Sequence, residues 1–77
     1  MTHRKFTKSE RYILQALAAK PGSTSAEVQQ ACDIHRTYAL RIMKRMAAEG
    51  LIVPTMVLPT YELSPQGQRV LDSLNNA

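Results

Sequence analysis

Tryptophan is absent from this sequence, phenylalanine and cysteine occur once each, and six acidic residues stand against ten basic ones. The single cysteine, Cys32, excludes an intramolecular disulfide, and His3 and His35 do not cluster with it as ligands for a structural zinc. No metal or other cofactor is therefore expected. With so few aromatics, the core must be built from Leu, Ile, Val, Met and Ala. No apolar run approaches the roughly 18 residues that span a bilayer, and the opening MTHRKFTKSE lacks the apolar middle of a signal peptide. No membrane contact is expected, and the expected location is cytoplasmic. A glycine-rich phosphate loop, paired carboxylates on one face and a nucleophile with a base beside it are also missing, which argues against an enzyme.

What is present is a chain of 77 residues with a hydrophobic fraction of 44% and a charged fraction of 21%, values of a globular protein rather than a disordered tail. That length supports one domain with one modest core and leaves little volume for an effector pocket. The net charge of +4 is a mild bias, but its distribution is uneven. Arg4, Lys5, Lys8 and Arg11 form one cluster, and Arg36, Arg41, Lys44 and Arg45 form another. Cations gathered in this way suit a phosphate-facing surface, and equally two helix faces in water.

Four helices and a hairpin follow from the patterning. Thr7 with Glu10 makes a capping box, Ile13, Leu14, Leu17 and Ala18 continue as an apolar stripe, and Lys20, Pro21 and Gly22 stop a helix placed at about residues 8–20. Thr24 with Glu27 repeats the device for a short second helix with Val28, Ala31 and Cys32 inward. Asp33, tolerant of a left-handed backbone, makes the turn. In the third helix Ala39, Ile42, Met43 and Met46 fall on one side, so Thr37, Arg41 and Lys44 face outward with Leu40 and Arg45 beside them. Gly50 supplies a left-handed stop, with Leu51 folding back on Met46. Two β-prone runs, Leu51 to Val53 and Thr60 to Leu63, flank a tip bracketed by Pro54 and Pro59. Ser64 then caps a last helix with Pro65 at its first position and Val70, Leu71 and Leu74 inward.

Three helices with a tight turn between the second and third, then a hairpin, is the order of a winged helix-turn-helix. The stretch TSAEVQQACDIHRTYALRIMKRMAAEGLI resembles the core of the bacterial winged helix regulators, and YELSPQGQRVL is similar to the closing strand and helix of their MarR and PadR type members. The resemblance runs from Phe6 to Leu74 and places the motif's apolar positions on Val28, Cys32, Ile34, Ala39 and Ile42. Gln29 stands where the family carries a small residue, and Asp33 where it carries the turn glycine. The expected fold is mostly α with a small β-hairpin: three helices, a two-stranded wing and a short C-terminal helix. A single domain over residues 1–77 is expected, with a basic N-terminal arm at 1–6, the wing at 51–63 and the C-terminal helix at 65–74.

The resemblance implies a sequence-specific regulator of transcription that binds double-stranded DNA, with the helix at about residues 35–49 in the major groove. It also implies a homodimer, because one short helix reads few base pairs. The expected sense is repression, in a bacterial or phage setting. Arg36, Thr37, Tyr38 and Arg41 are the candidates for base edges, since Arg pairs with guanine through two hydrogen bonds and Thr offers a methyl or hydroxyl. Lys44 and Arg45 lie further along, where phosphates are met, and Leu40 is placed to touch a thymine methyl. Arg4, Lys5, Lys8 and Arg11 are candidates for backbone contact from the arm and first helix.

The wing does not fit this pattern, since its segment VPTMVLPTY carries no Lys or Arg. Met56, Val57 and Leu58 either tuck onto the domain or meet a second subunit or another protein. The second functional reading is accordingly a protein-binding adaptor or inhibitor acting through this apolar wing. Cys32 reads as a small core hydrophobe, Tyr12 and Tyr61 as amphipathic core or edge residues, and His35 as a cap for the third helix.

Overall fold

The computed structural model describes residues 5–55 and 60–76. In chain order the elements are α1 (Lys8–Ala19), β1 (Ser23–Thr24), α2 (Ser25–Cys32), α3 (Arg36–Ala48), β2 (Ile52–Pro54), β3 (Thr60–Leu63) and α4 (Pro65–Asn75). The helix-helix-helix-hairpin-helix order expected from the sequence is the one observed. Among the described residues no helix is long and apolar enough to cross a membrane, and no group of three or more His, Cys, Asp or Glu is placed to hold a metal.

Each helix start follows from side chains that satisfy amides the helix itself leaves unpaired. At α1 the Thr7 hydroxyl accepts from the Glu10 amide at 3.2 Å while the Glu10 carboxyl accepts from the Thr7 amide at 2.8 Å. Thr24 and Glu27 do the same for α2 at 3.1 and 2.9 Å. Ser64 caps α4 by accepting from the Gly67 amide at 3.0 Å. Helix ends are as local. Asp33 adopts the left-handed conformation (φ 54°, ψ 47°), and the Ile34 amide reaches back to the Gln29 carbonyl at 3.2 Å, closing α2. After α3, Gly50 (φ 80°) donates to the Ala47 carbonyl and Leu51 to the Met46 carbonyl, each at 3.0 Å, the paired bonds of a Schellman cap.

Ile13, Leu14, Leu17, Val28, Ile42, Met43, Met46, Leu51, Ile52 and Leu71 form the core, with Ala39 buried as well. Two alanines expected inside are exposed: Ala18 on α1 and Ala31 on α2. The inward stripe of α1 is completed from the other end by Glu10, only 2% exposed, whose polar end is held by its own cap. Because α2 is short, it buries only Val28 fully, and Ala31 turns toward the outer groove between α1 and α2.

The sheet has three strands rather than the expected two, in the order β1-β3-β2 and antiparallel throughout. Ser23 and Thr24 pair with Tyr61 and Thr60, and Gly22 donates to the Tyr61 carbonyl at 3.0 Å. Thr24 therefore both ends a strand and caps the next helix, and a two-residue strand leaves no alternation in sequence to reveal it. The first hairpin strand begins at Ile52, one residue later than expected, because Leu51 belongs to the cap of α3.

Candidate nucleic-acid interface

Helix α3 presents its buried stripe of Ala39, Ile42, Met43 and Met46 to the core, while Arg36, Thr37, Tyr38, Arg41, Lys44 and Arg45 are all exposed. Arg36, Thr37, Leu40, Arg41 and Lys44 together line one open groove on the outer face. A second cleft runs beside it between the start of α2 and α3, lined by Ser25, Ala26, Gln29, Arg36 and Leu40. Thr37, Arg41 and Lys44 thus point straight away from the core, and Arg36 and Leu40 lean toward α2. Tyr38 (48% exposed) and Arg45 lie on the opposite flank at 100° per residue. Of the six side chains expected at this surface, four line one groove, and Tyr38 and Arg45 flank it.

Among the described residues the face is electrostatically uncompensated. No acidic residue lies between Arg36 and Ala48, and among the described residues none of Arg36, Arg41, Lys44 and Arg45 has an ion-pair partner. By contrast Lys20, outside both clusters, pairs with Glu27 at the start of α2. Glu27 is held at about 2, well below the usual carboxylate range, first by the hydrogen bond from Lys20 and then by the Thr24 amide. His35 caps α3 as expected: its Nδ1 accepts from the Thr37 amide at 3.3 Å, which fixes the backbone of the residues leading into the groove.

The helices preceding the groove set its depth. Gln29 is half-buried and lines this cleft, its carbonyl takes the Ile34 amide at 3.2 Å, and α2 and α3 still pack with the larger residue in place. Ser25, Ala26 and Gln29 were not singled out from the sequence as neighbours of the basic face. Nothing in their spacing marks them, since their proximity to Arg36 comes from the turn at Asp33.

The first basic cluster lies elsewhere. Helix α1 packs on α2, α4 and β3, whereas α3 packs on α2 and β2. Lys5, Lys8 and Arg11 are exposed at the start of α1, and the Lys8 ammonium sits 6.0 Å from the centre of the Tyr12 ring. Arg4, and Met56, Val57 and Leu58 of the wing, lie outside the described residues. At the base of the wing, Thr55 donates its amide to the Thr60 carbonyl at 2.9 Å, and the two threonine hydroxyls are 2.6 Å apart. Val53, 49% exposed, pairs across the hairpin with the exposed Glu62. Cys32 is half-buried against the core, and burial pushes its thiol up, away from the reactive thiolate.

Comparison with known proteins decides the family. The model described as winged helix-turn-helix DNA-binding matches residues 6–53, a span from the start of α1 through the basic helix into β2. The chain belongs to this family. As a winged helix it is also similar in structure to larger regulators. A MarR family transcription regulator, SP03579, matches with a TM-score of 0.86 at 26% identity, over 92% of this chain and 50% of its own. BpsR of Bordetella bronchiseptica matches at 0.89 and 18% identity, over 99% of this chain and 57% of its own. The PcaV transcriptional regulator of Streptomyces coelicolor matches at 0.83 and 24% identity, over 97% and 57%. No curated protein matches the sequence. The winged helix therefore spans about half the length of these solved structures. It is a winged helix-turn-helix DNA-binding domain, similar to part of a MarR family transcription regulator.

Proposed function

We propose that this winged helix is a sequence-specific regulator of transcription that lays α3 in the major groove of double-stranded DNA and acts as a homodimer. One observation carries the reading. Arg36, Thr37, Arg41 and Lys44 line a single outward groove on the helix after the turn, and its cations have no acidic partner among the described residues. A helix of 13 residues, about 20 Å long, fits the major groove with its N-terminal side chains at base edges and its later cations at phosphates. Arg36, Thr37, Tyr38 and Arg41 take the base-edge role, and Lys44 and Arg45 the phosphate role. Lys5, Lys8 and Arg11, with Arg4, add backbone contacts only where the DNA reaches the start of α1. In this reading the protein works in the cytoplasm of a bacterium, on chromosomal or phage DNA, and represses by occupying its site.

Fluorescence anisotropy with a mixed-sequence duplex across a salt series tests the phosphate-facing surface. A dissociation constant of about 10⁻⁴ to 10⁻⁶ M that weakens steeply with salt is expected. On a selected site, Arg41→Ala should cost about 1 to 3 kcal/mol and relax the preference at one position, whereas Lys44→Ala should weaken all sequences alike and flatten the salt slope by about one. Parent-like binding by both variants would remove α3 from the interface.

A second reading is supported by the wing. A wing that tracks phosphates needs cations, yet the described strands offer an exposed Val53 opposite a carboxylate, Glu62, and the sequence of the tip is apolar. That chemistry suits contact with a protein surface, either a second copy or a partner of an adaptor or inhibitor. Replacing Met56, Val57 and Leu58 with serine should then abolish the complex while circular dichroism stays unchanged. A complex that survives would rule out the wing as its site.

A further inference from the structure

Leu40 is the one large apolar side chain in the basic groove. It is half-buried, yet it belongs neither to the core cluster nor to the hydrophobic residues packed against that cluster. It lines the cleft beside α2 together with Ser25, Ala26, Gln29 and Arg36, so it stands on the α2 side of the groove. Cations stand around it one turn before, at Arg36, one turn after, at Lys44, and beside it at Arg41, with Thr37 three positions earlier. A lone exposed leucine is unremarkable on a protein surface. Here, however, the leucine lines the α2 side of the groove proposed to meet DNA, so docking desolvates it together with the charges.

The major groove offers one apolar group, the 5-methyl of thymine, and otherwise hydrogen-bond donors and acceptors. Against cytosine, a leucine would cover the amino donor without pairing it, so the wrong base is penalised as well as the right one favoured. We propose that Leu40 is a specificity-determining residue that reads the methyl group of a thymine, next to a guanine held by Arg41. This rests on the DNA-binding reading above and adds to it the chemical identity of one base in the site.

The test begins with selection of the preferred duplex from a random library with the unaltered chain. Each thymine of the selected half-site is then replaced in turn by deoxyuridine, which differs only in lacking the methyl group, and affinity is measured by fluorescence anisotropy. One replacement should weaken binding about fourfold, the worth of one buried methyl group. Leu40→Ala, which removes no core side chain, should remain folded by circular dichroism, bind the selected duplex more weakly and respond equally to thymine and deoxyuridine at that position. A selected half-site without thymine, parent binding that ignores every methyl, or the same fourfold loss persisting in Leu40→Ala would each overturn the proposal while leaving DNA binding intact. Failure of the parent to bind any duplex at low salt would overturn both this proposal and the reading on which it rests.

Discussion

Gly67 is a glycine inside a helix, where alanine would ordinarily be better by about 1 kcal/mol. Its place is explained by what lies opposite: a Cβ built there would fall 2.0 Å from the Leu51 carbonyl oxygen, which is backbone and has no rotamer to move. The same oxygen accepts the Ser64 amide at 3.0 Å, and the Ser64 hydroxyl donates to the Gly50 carbonyl. Ser64, Gly67 and Leu51 therefore fasten α4 to the turn that ends α3. Gly67→Ala should force α4 away from Leu51 and cost about 1 to 3 kcal/mol, enough to lower the melting temperature by several degrees in a domain of this size. An alanine variant as stable as the parent would mean that α4 does not pack on that turn. Asp33 gives the opposite case, a residue with a side chain where the backbone is left-handed (φ 54°, ψ 47°). Asp33→Gly should be tolerated and stabilise by up to about 1 kcal/mol, as thermal melts would show.

At the scale of elements, α2 is the smallest helix and supports the largest responsibility, since it sets the angle of α3. Its start is held by three things at once: the Thr24 cap, the pairing of Ser23 and Thr24 with β3, and the Lys20–Glu27 ion pair reaching back to the end of α1. Glu27 is lowered from 4.5 to about 2, so the folded state favours its ionised form. That contribution is fully present above about pH 4.5 and is lost as pH falls toward 2. The Lys20 side chain is 69% exposed and that of Glu27 41%, so screening keeps it small. Glu27→Gln retains an acceptor for the Thr24 amide and removes only the charge. The parent should therefore melt slightly higher than the variant at neutral pH, the gap closing on acidification to about pH 2; a gap independent of pH would mean the ion pair contributes nothing. The helices were legible in the sequence because each carries its own cap: Thr7, Thr24 and Ser64 mark starts, and Asp33 and Gly50 mark stops. What was not legible depends on contacts between elements. The strand at Ser23–Thr24 exists only through Tyr61 and Thr60, and Ala18 and Ala31 read as inward because alanine fits either face. Tyr38 and Arg45 lie on one flank of α3 by periodicity, but that the groove closes on the other flank, beside Arg36 and Leu40, depends on α2. The outward row of Thr37, Arg41 and Lys44, in contrast, follows from one helix's periodicity and was visible without neighbours, whereas Arg36 joins it only in the folded structure, where it also lines the cleft beside α2.

For the molecule as a whole, one groove with one outward helix limits what can be read. Alone, α3 reaches a few base pairs, and a contact set of that size yields little discrimination over non-specific sites. The solved regulators resembling this winged helix are about twice its length, which leaves room in them for structure beyond the part that matches. A homodimer would solve the reading problem by presenting two α3 helices to successive turns of one duplex face, which demands inverted half-sites about 10 to 10.5 base pairs apart, centre to centre. A site selected by this chain should therefore be an inverted repeat, and inserting about five base pairs between its halves should rotate one half-site to the far side of the duplex. Affinity should then fall toward that of a single half-site, and recover in part when a full turn is inserted. The fall must come from geometry rather than from lost contacts, because every base in both halves is retained. A selected site with one half only, or binding indifferent to the spacing, would instead mean that this winged helix reads DNA as a monomer and gains its specificity from the side chains of a single α3.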